Sequence, residues 1–160
     1  MPTIDDVHAA LRLVMDPEIP TISLVDLGVI TETTMDDVGN VRVVMTPTFM
    51  GCPAMDYMKN NVINRLEALG CVSVEVQVTL DVPWNTNRLT DEGRAALLRH
   101  GLAPPDPYDG VLALNVLNNI ACPLCGGRNT FLSSPFGPTL CRSLHYCNHC
   151  RQAFEAFKPV

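Results

Sequence analysis

The chain has 160 residues, enough for one ordinary core and a small appendage. Its hydrophobic fraction of 47% and charged fraction of 18% exclude a disordered chain. A net charge of -6 excludes general affinity for nucleic acid or acidic membranes.

The opening "MPTIDDVHAA" lacks a basic and apolar leader, and no apolar run approaches the roughly 18 residues of a membrane span. A cytoplasmic setting with reduced thiols is expected. There, seven cysteines speak for metal or reactive sulfur before disulfides. Thr3 is placed to cap a first helix, with Asp5 and Asp6 in its positive first turn. Ile4, Val7, Leu11 and Val14 share one face, and Pro17 of "DPEIP" is expected to stop the helix. "GVITETT" and "VRVVMTPT" predict a hairpin around "MDDVGN", with Gly39-Asn40 as its tip.

A second helix follows "GC". Met55, Met58, Val62, Leu66 and Leu69 recur at helical steps, and Gly70 ends the run. In "CVSVEVQVTL", Val72, Val74, Val76, Val78 and Leu80 alternate strictly, which predicts a strand with one buried face. "LDVPWNTNRLT" reads as a loop. A short helix from Asp91 to about His100, capped by Thr90 and ended by Gly101, comes next. The order α-β-β-α-β-α predicts a small two-layer α+β domain over residues 1–103. "LAPPDPYDG", with Pro104, Pro105 and Pro107, opens a stiff linker over 104–119. A third segment, 120–160, then carries four cations, Arg128, Arg142, Arg151 and Lys158, against the single anion Glu155.

That tail contains two C-x-x-C knuckles, Cys122/Cys125 and Cys147/Cys150, separated by 21 residues. The spacing suits a four-cysteine zinc ribbon, in which each knuckle turns two sulfurs toward one ion. A segment of this size with few large apolar residues needs such a staple to fold. Zn²⁺ with four thiolates adds -2, which takes the tail from +3 to about +1 and leaves no footprint for phosphate. A structural or protein-docking ribbon is therefore expected. Cys141, His145 and His149 lie nearby, and neither histidine is expected to ligate the ion.

The stretch "TPTFMGCPA" places Cys52 between Gly51 and Pro53. Pro53 suits the first position of the second helix, which would make Cys52 its N-cap and hold its thiol acidic. Inert packing is the alternative. Cys71, at the head of an apolar strand, reads as a core thiol. Asp16, Glu18 and Asp26 form an acidic loop before the hairpin. His8 and His100 fall on helices, so no histidine is an evident base for Cys52, and a Cys-His hydrolase is poorly supported. A thiolate offered to iron needs no such base.

"DPEIP…VDLGVI", "TPTFMGCPA", "LDVPWNTNRLTDEGRAALLRHGLAPP" and "CPLCGGRNTFLSSPFGPTLCRSLHYCNHCRQAFEAFK" together resemble the PaaD-like branch of the metal–sulfur cluster assembly family, which includes SufT-like proteins. The resemblance covers nearly the whole chain. It implies an α+β assembly domain whose GCP cysteine, here Cys52, serves iron–sulfur cluster transfer, with acidic-loop residues at Asp16 and Glu18. It also implies ribbon ligands at Cys122, Cys125, Cys147 and Cys150, and places Cys141 on a family position. The activity implied is a non-enzymatic maturation factor for the phenylacetyl-CoA ring-epoxidising oxygenase. Its client would be the ferredoxin-type reductase component or another iron–sulfur protein, with a transient cluster and a structural Zn²⁺. A homodimer would let two Cys52 thiols share a cluster. The competing expectation is an accessory subunit of the oxygenase, or a thiol enzyme with Cys52 as its catalytic residue.

Overall fold

Thr3 starts the first helix as its sequence suggests. In the computed structural model, which describes residues 1–107 and 117–158, its hydroxyl accepts the Asp6 N–H and the Asp6 carboxylate accepts the Thr3 N–H in return. Helix α1 spans Ile4–Leu11 and closes well before Pro17. The N–H groups of Leu13 and Val14 reach back only three residues, to Ala10 and Leu11, and Leu24 N–H then bonds Val14 O. The chain leaves the helix early to make this return, and Val14 still reaches the core at 5% exposure.

The chain divides into two compact units, Met1–Trp84 and Asn85–Val160. The first unit holds strands β1 (Ile30–Met35) and β2 (Asn40–Met45), helix α2 (Met55–Leu69) and strand β3 (Ser73–Val78). The hairpin tip is Asp36–Gly39 and not Gly39-Asn40. Asp36 Oδ1 accepts the N–H groups of Val38 and Asn40, and Gly39 sits at φ +96°. Asn40 is thereby freed to begin β2. Strands β1 and β2 pair antiparallel, and β2 and β3 pair parallel, in the order β1-β2-β3. The parallel pair requires a crossover, which α2 supplies. Gly70, at φ +96°, ends α2 as expected.

Both helices cover one face of the sheet. Val41, Val43, Met45 and Val76 lie on it, with Val7, Val62 and Leu66 from the helices fully or almost fully shielded. The other face carries Glu32, Thr34, Arg42, Glu75 and Gln77, exposed to solvent. The face of β3 predicted to be buried is buried only at Val76. Val72, Val78 and Leu80 remain 60%, 41% and 54% exposed. The reason is position: among the described residues β3 is an outer strand, with no neighbour beyond it in the sheet. Trp84 closes the unit, its indole N–H donating to Leu27 O at 2.9 Å.

The second unit contains a short 3₁₀ turn (Thr86–Arg88), helix α3 (Asp91–Arg99) and strands β4 (Leu102–Ala103), β5 (Thr130–Ser134), β6 (Arg142–Cys147) and β7 (Gln152–Phe157). Thr90 caps α3 through the Gly93 N–H. The sheet order is β4-β7-β6-β5. Here the packing departs from the boundary expected at residue 103. α3 and β4 lie with the ribbon, because β4 pairs parallel to β7 through Leu102 and Ala103. The start of the expected linker is bonded within this unit too. Arg94 donates to Pro105 O and Thr86 O, and Arg128 grips Asp106 with both terminal nitrogens at 2.7 and 3.1 Å. The middle of that linker, 108–116, lies outside the described residues.

Candidate functional site: a four-sulfur cluster and an exposed-loop thiol

The first knuckle is a tight turn ahead of β5. Cys122 O accepts the Gly126 N–H at 2.8 Å, and Gly126 stands at φ +74°. The Gly127 N–H points at Cys125 Sγ, 3.4 Å away, and a Cβ on Gly127 would sit 3.3 Å from that sulfur. The second knuckle turns between β6 and β7, closed by Arg151 N–H on Cys147 O at 2.9 Å. The strand pairing brings the two turns together. Cys122 and Cys150 sulfurs lie 3.7 Å apart, Cys125 and Cys147 sulfurs likewise, and all four fall within 4.8 Å of one another. An ion bound by four thiolates at about 2.3 Å requires sulfurs separated by about 3.8 Å. The four side chains therefore fit a tetrahedral metal.

The sulfurs differ electrostatically. Backbone N–H groups of Cys150 and His149 act on Cys147 and bring its thiol down to about 7, while burial pushes Cys150 up to about 12. Binding of a cation by such a set requires the thiols to give up their protons. Cys122 and Cys147 are also core residues, packed with Ala103, Ile120, Phe154 and Ala156.

His145, His149 and Cys141 flank the four sulfurs in the sequence. His149 is exposed. His145 is fully buried, bonded to Ser143 Oγ at 2.9 Å and stacked on Phe154, and burial lowers its pKa. Cys141 is half-buried, with its sulfur 3.1 Å from Thr139 Oγ1.

In the first unit, Cys52 lies in the loop from β2 to α2. That loop emerges at the C-terminal ends of the two parallel strands, where ligands of open α/β sheets collect. Cys52 is half-buried. Its expected N-cap position is not realised. Met55 N–H bonds Cys52 O at 3.3 Å, so Pro53 and Ala54 are spent in a turn, and Ala54 becomes the cap without a side-chain acceptor. Gly51 stands at φ +77°, with nothing within 4 Å of a projected Cβ. Met50 beside it is 78% exposed. Cys71 is half-buried and not a core thiol, because it precedes the outer strand β3, and burial still raises its pKa.

Asp16 and Glu18 occupy one turn. Asp16 Oδ1 accepts the N–H groups of Glu18 and Ile19, both at 2.8 Å. Asp26 lies apart, buried, and bonded to Ser23 Oγ at 2.7 Å. Sequence reasoning missed an open groove of about 520 Å³ between the Asp16 turn and α2, with Tyr57, Asn61 and Arg65 on its helical wall. Their four-residue spacing is the signal that could have revealed it. It also missed Thr46, at the head of the "TPTFMGCPA" stretch. Its hydroxyl is buried without a hydrogen-bond partner among the described residues.

Comparison with known proteins gives these two sites a family. Residues 110–158 match the family described as "PaaD zinc beta ribbon domain", and residues 4–80 match "Iron-sulfur cluster assembly protein". An Escherichia coli (strain K12) protein, named as one subunit of a "Putative 1,2-phenylacetyl-CoA epoxidase", is 32% identical over 99% of this chain and 94% of its own length. The chain belongs to the PaaD family. A Porphyromonas gingivalis "Fe-S protein maturation auxiliary factor" is 34% identical to it over 59% of this chain and 90% of that protein. Among solved structures, a Bacillus anthracis "Domain of Unknown Function DUF59" superposes with a TM-score of 0.54 at 29% identity, covering 58% of this chain and 89% of that one. A conserved hypothetical protein of Thermotoga maritima gives 0.51 at 34% identity, over 59% and 92%. No helix among the described residues is long and apolar enough to cross a membrane.

Proposed function

We propose that this chain is a non-enzymatic maturation factor that delivers an iron–sulfur cluster to the ferredoxin-type reductase component of a phenylacetyl-CoA ring-epoxidising oxygenase. The observation that carries this reading is the pairing of an assembly-type first unit, whose Cys52 stands on an open bend, with a PaaD-type ribbon. Cys52 is the soft ligand that holds or passes the cluster. Asp16 and Glu18 shape the acidic turn of the same unit, and Asp16 acts through the backbone it fixes. Cys122, Cys125, Cys147 and Cys150 hold a structural Zn²⁺ that folds the ribbon for docking on the client. All of this takes place in the cytoplasm.

The second reading, an accessory subunit of the epoxidase itself, is favoured by the name of the Escherichia coli relative. A Cys52→Ser strain separates the two. Serine keeps the size of the side chain and removes the soft iron ligand. The maturation reading expects a normal amount of reductase polypeptide short of iron and acid-labile sulfide, and failure to grow on phenylacetate. A fully clustered reductase in that strain rejects it in favour of the accessory reading.

A further inference from the structure

Among the described residues, strand β3 has a partner on one side only. The Thr79 N–H bonds Met45 O on β2. Alternation along a ladder then turns Ser73, Glu75 and Gln77 toward β2 and leaves the N–H and C=O groups of Val74, Val76 and Val78 directed outward. An open edge of this kind is a template for another strand. Its flanks are apolar and uncovered, with Val72 60%, Val78 41% and Leu80 54% exposed.

The apolar stripe Val72, Val74, Val76, Val78, Leu80 is symmetric about its middle residue. A two-fold axis at Val76 maps the stripe onto itself. Antiparallel pairing about that axis sets Val76 against its own copy, Val74 against Val78, and Val72 against Leu80. On the opposite face it sets Glu75 against Gln77. Two adjacent registers also keep each face intact: the one centred on Glu75 would place two carboxylates opposite one another, and the one centred on Gln77 would pair only Val74 with Leu80 and Val76 with Val78, leaving Val72 outside the matched stripe. Outward backbone groups and the full five-residue match of the stripe favour a second copy in the register centred on Val76, and charge counts against the register centred on Glu75.

We propose that two copies of this chain pair antiparallel through β3, with the two-fold axis at Val76, to form a continuous six-stranded sheet. The pairing stands independently of the cluster-handling reading, but it constrains it. Cys52 lies at the C-terminal end of β2, and β3 runs parallel to β2. An antiparallel partner therefore puts its own Cys52 loop at the opposite end. Six residues of strand separate the two ends by about 20 Å. The two Cys52 thiols do not share one cluster in this dimer, and each faces a client by itself.

Sedimentation equilibrium of the full-length, metal-loaded chain tests the pairing. The wild type is expected at twice the chain mass in the micromolar range. Val78→Lys, which places a charge on the open flank, is expected to give a monomer with unchanged circular dichroism. Gln77→Glu sets two carboxylate pairs across the interface and should raise the dimer dissociation constant about tenfold. Adding Glu75→Gln to that variant removes the clash and should restore the wild-type value. A wild-type monomer at every concentration, which would leave the edge to a strand of another protein, overturns the proposal. So does a dimer indifferent to Val78→Lys, or a Gln77→Glu effect that Glu75→Gln does not rescue.

Discussion

In the first unit, Val43, Val62 and Leu66 are completely shielded from solvent and the two-layer packing needs nothing else. In the second unit, two of the buried residues at the centre are Cys122 and Cys147, which are also two of the four converging sulfurs. The first unit therefore rests on apolar burial, and in the proposed reading its Cys52 serves the chemistry. In the same reading the second spends its ribbon cysteines on its own shape. Sulfur count alone does not separate these uses; the partner of each sulfur does. Each ribbon sulfur lies near three others, whereas Cys52 stands on a loop beside an open glycine bend.

The sharpest break of this contrast is metal removal. Cys147→Ser, or a strong chelator at neutral pH, should abolish the protection of 120–158 against hydrogen exchange, because binding of structural zinc is worth about 10–16 kcal/mol in comparable small sites. Residues 4–80 should keep theirs, and elemental analysis should fall from one zinc per chain toward none. Leu66→Ala reverses the pattern. It should destabilise the first unit by about 3 kcal/mol in denaturant unfolding while zinc content stays unchanged.

Smaller effects refine the comparison. Thr46→Val keeps the shape of the side chain and removes a buried, unpartnered hydroxyl, so the first unit should gain about 1 kcal/mol. Asp106 probes the other unit. Its hydrogen bond from Arg128 holds its carboxyl below the usual range. A lowered carboxylate pKa means the unfolded chain binds the proton more readily. The pair's contribution is thus present above pH of about 4 and is lost as pH falls through the lower folded value. Both side chains are more than half exposed, so Asp106→Asn should cost at most about 1 kcal/mol, and the cost should vanish in strong acid.

What the sequence made legible follows the range of the interactions involved. The knuckles, the Thr3 and Thr90 caps, the buried stripe of α2 and its Gly70 stop are local patterns, and each stands in the structure. The unit boundary was illegible because it depends on Leu102 and Ala103 meeting Glu155 and Ala156, some fifty residues away. Alternation in β3 announced a strand but not that the strand lies at an edge, which only the sheet order decides. Cys52 was misplaced by less than one turn, because Pro53 suits a turn as well as a helix start, and the Met55–Cys52 bond chose the turn.

The division of labour between the two kinds of cysteine is tested most directly by cluster transfer from purified protein. Wild type, Cys52→Ser and Cys71→Ser would be reconstituted anaerobically with iron and sulfide and mixed with cluster-free reductase component, and zinc and transferred iron measured on each. The account predicts one zinc per chain in all three, transfer by wild type and Cys71→Ser, and none by Cys52→Ser. Undiminished transfer by Cys52→Ser would contradict it.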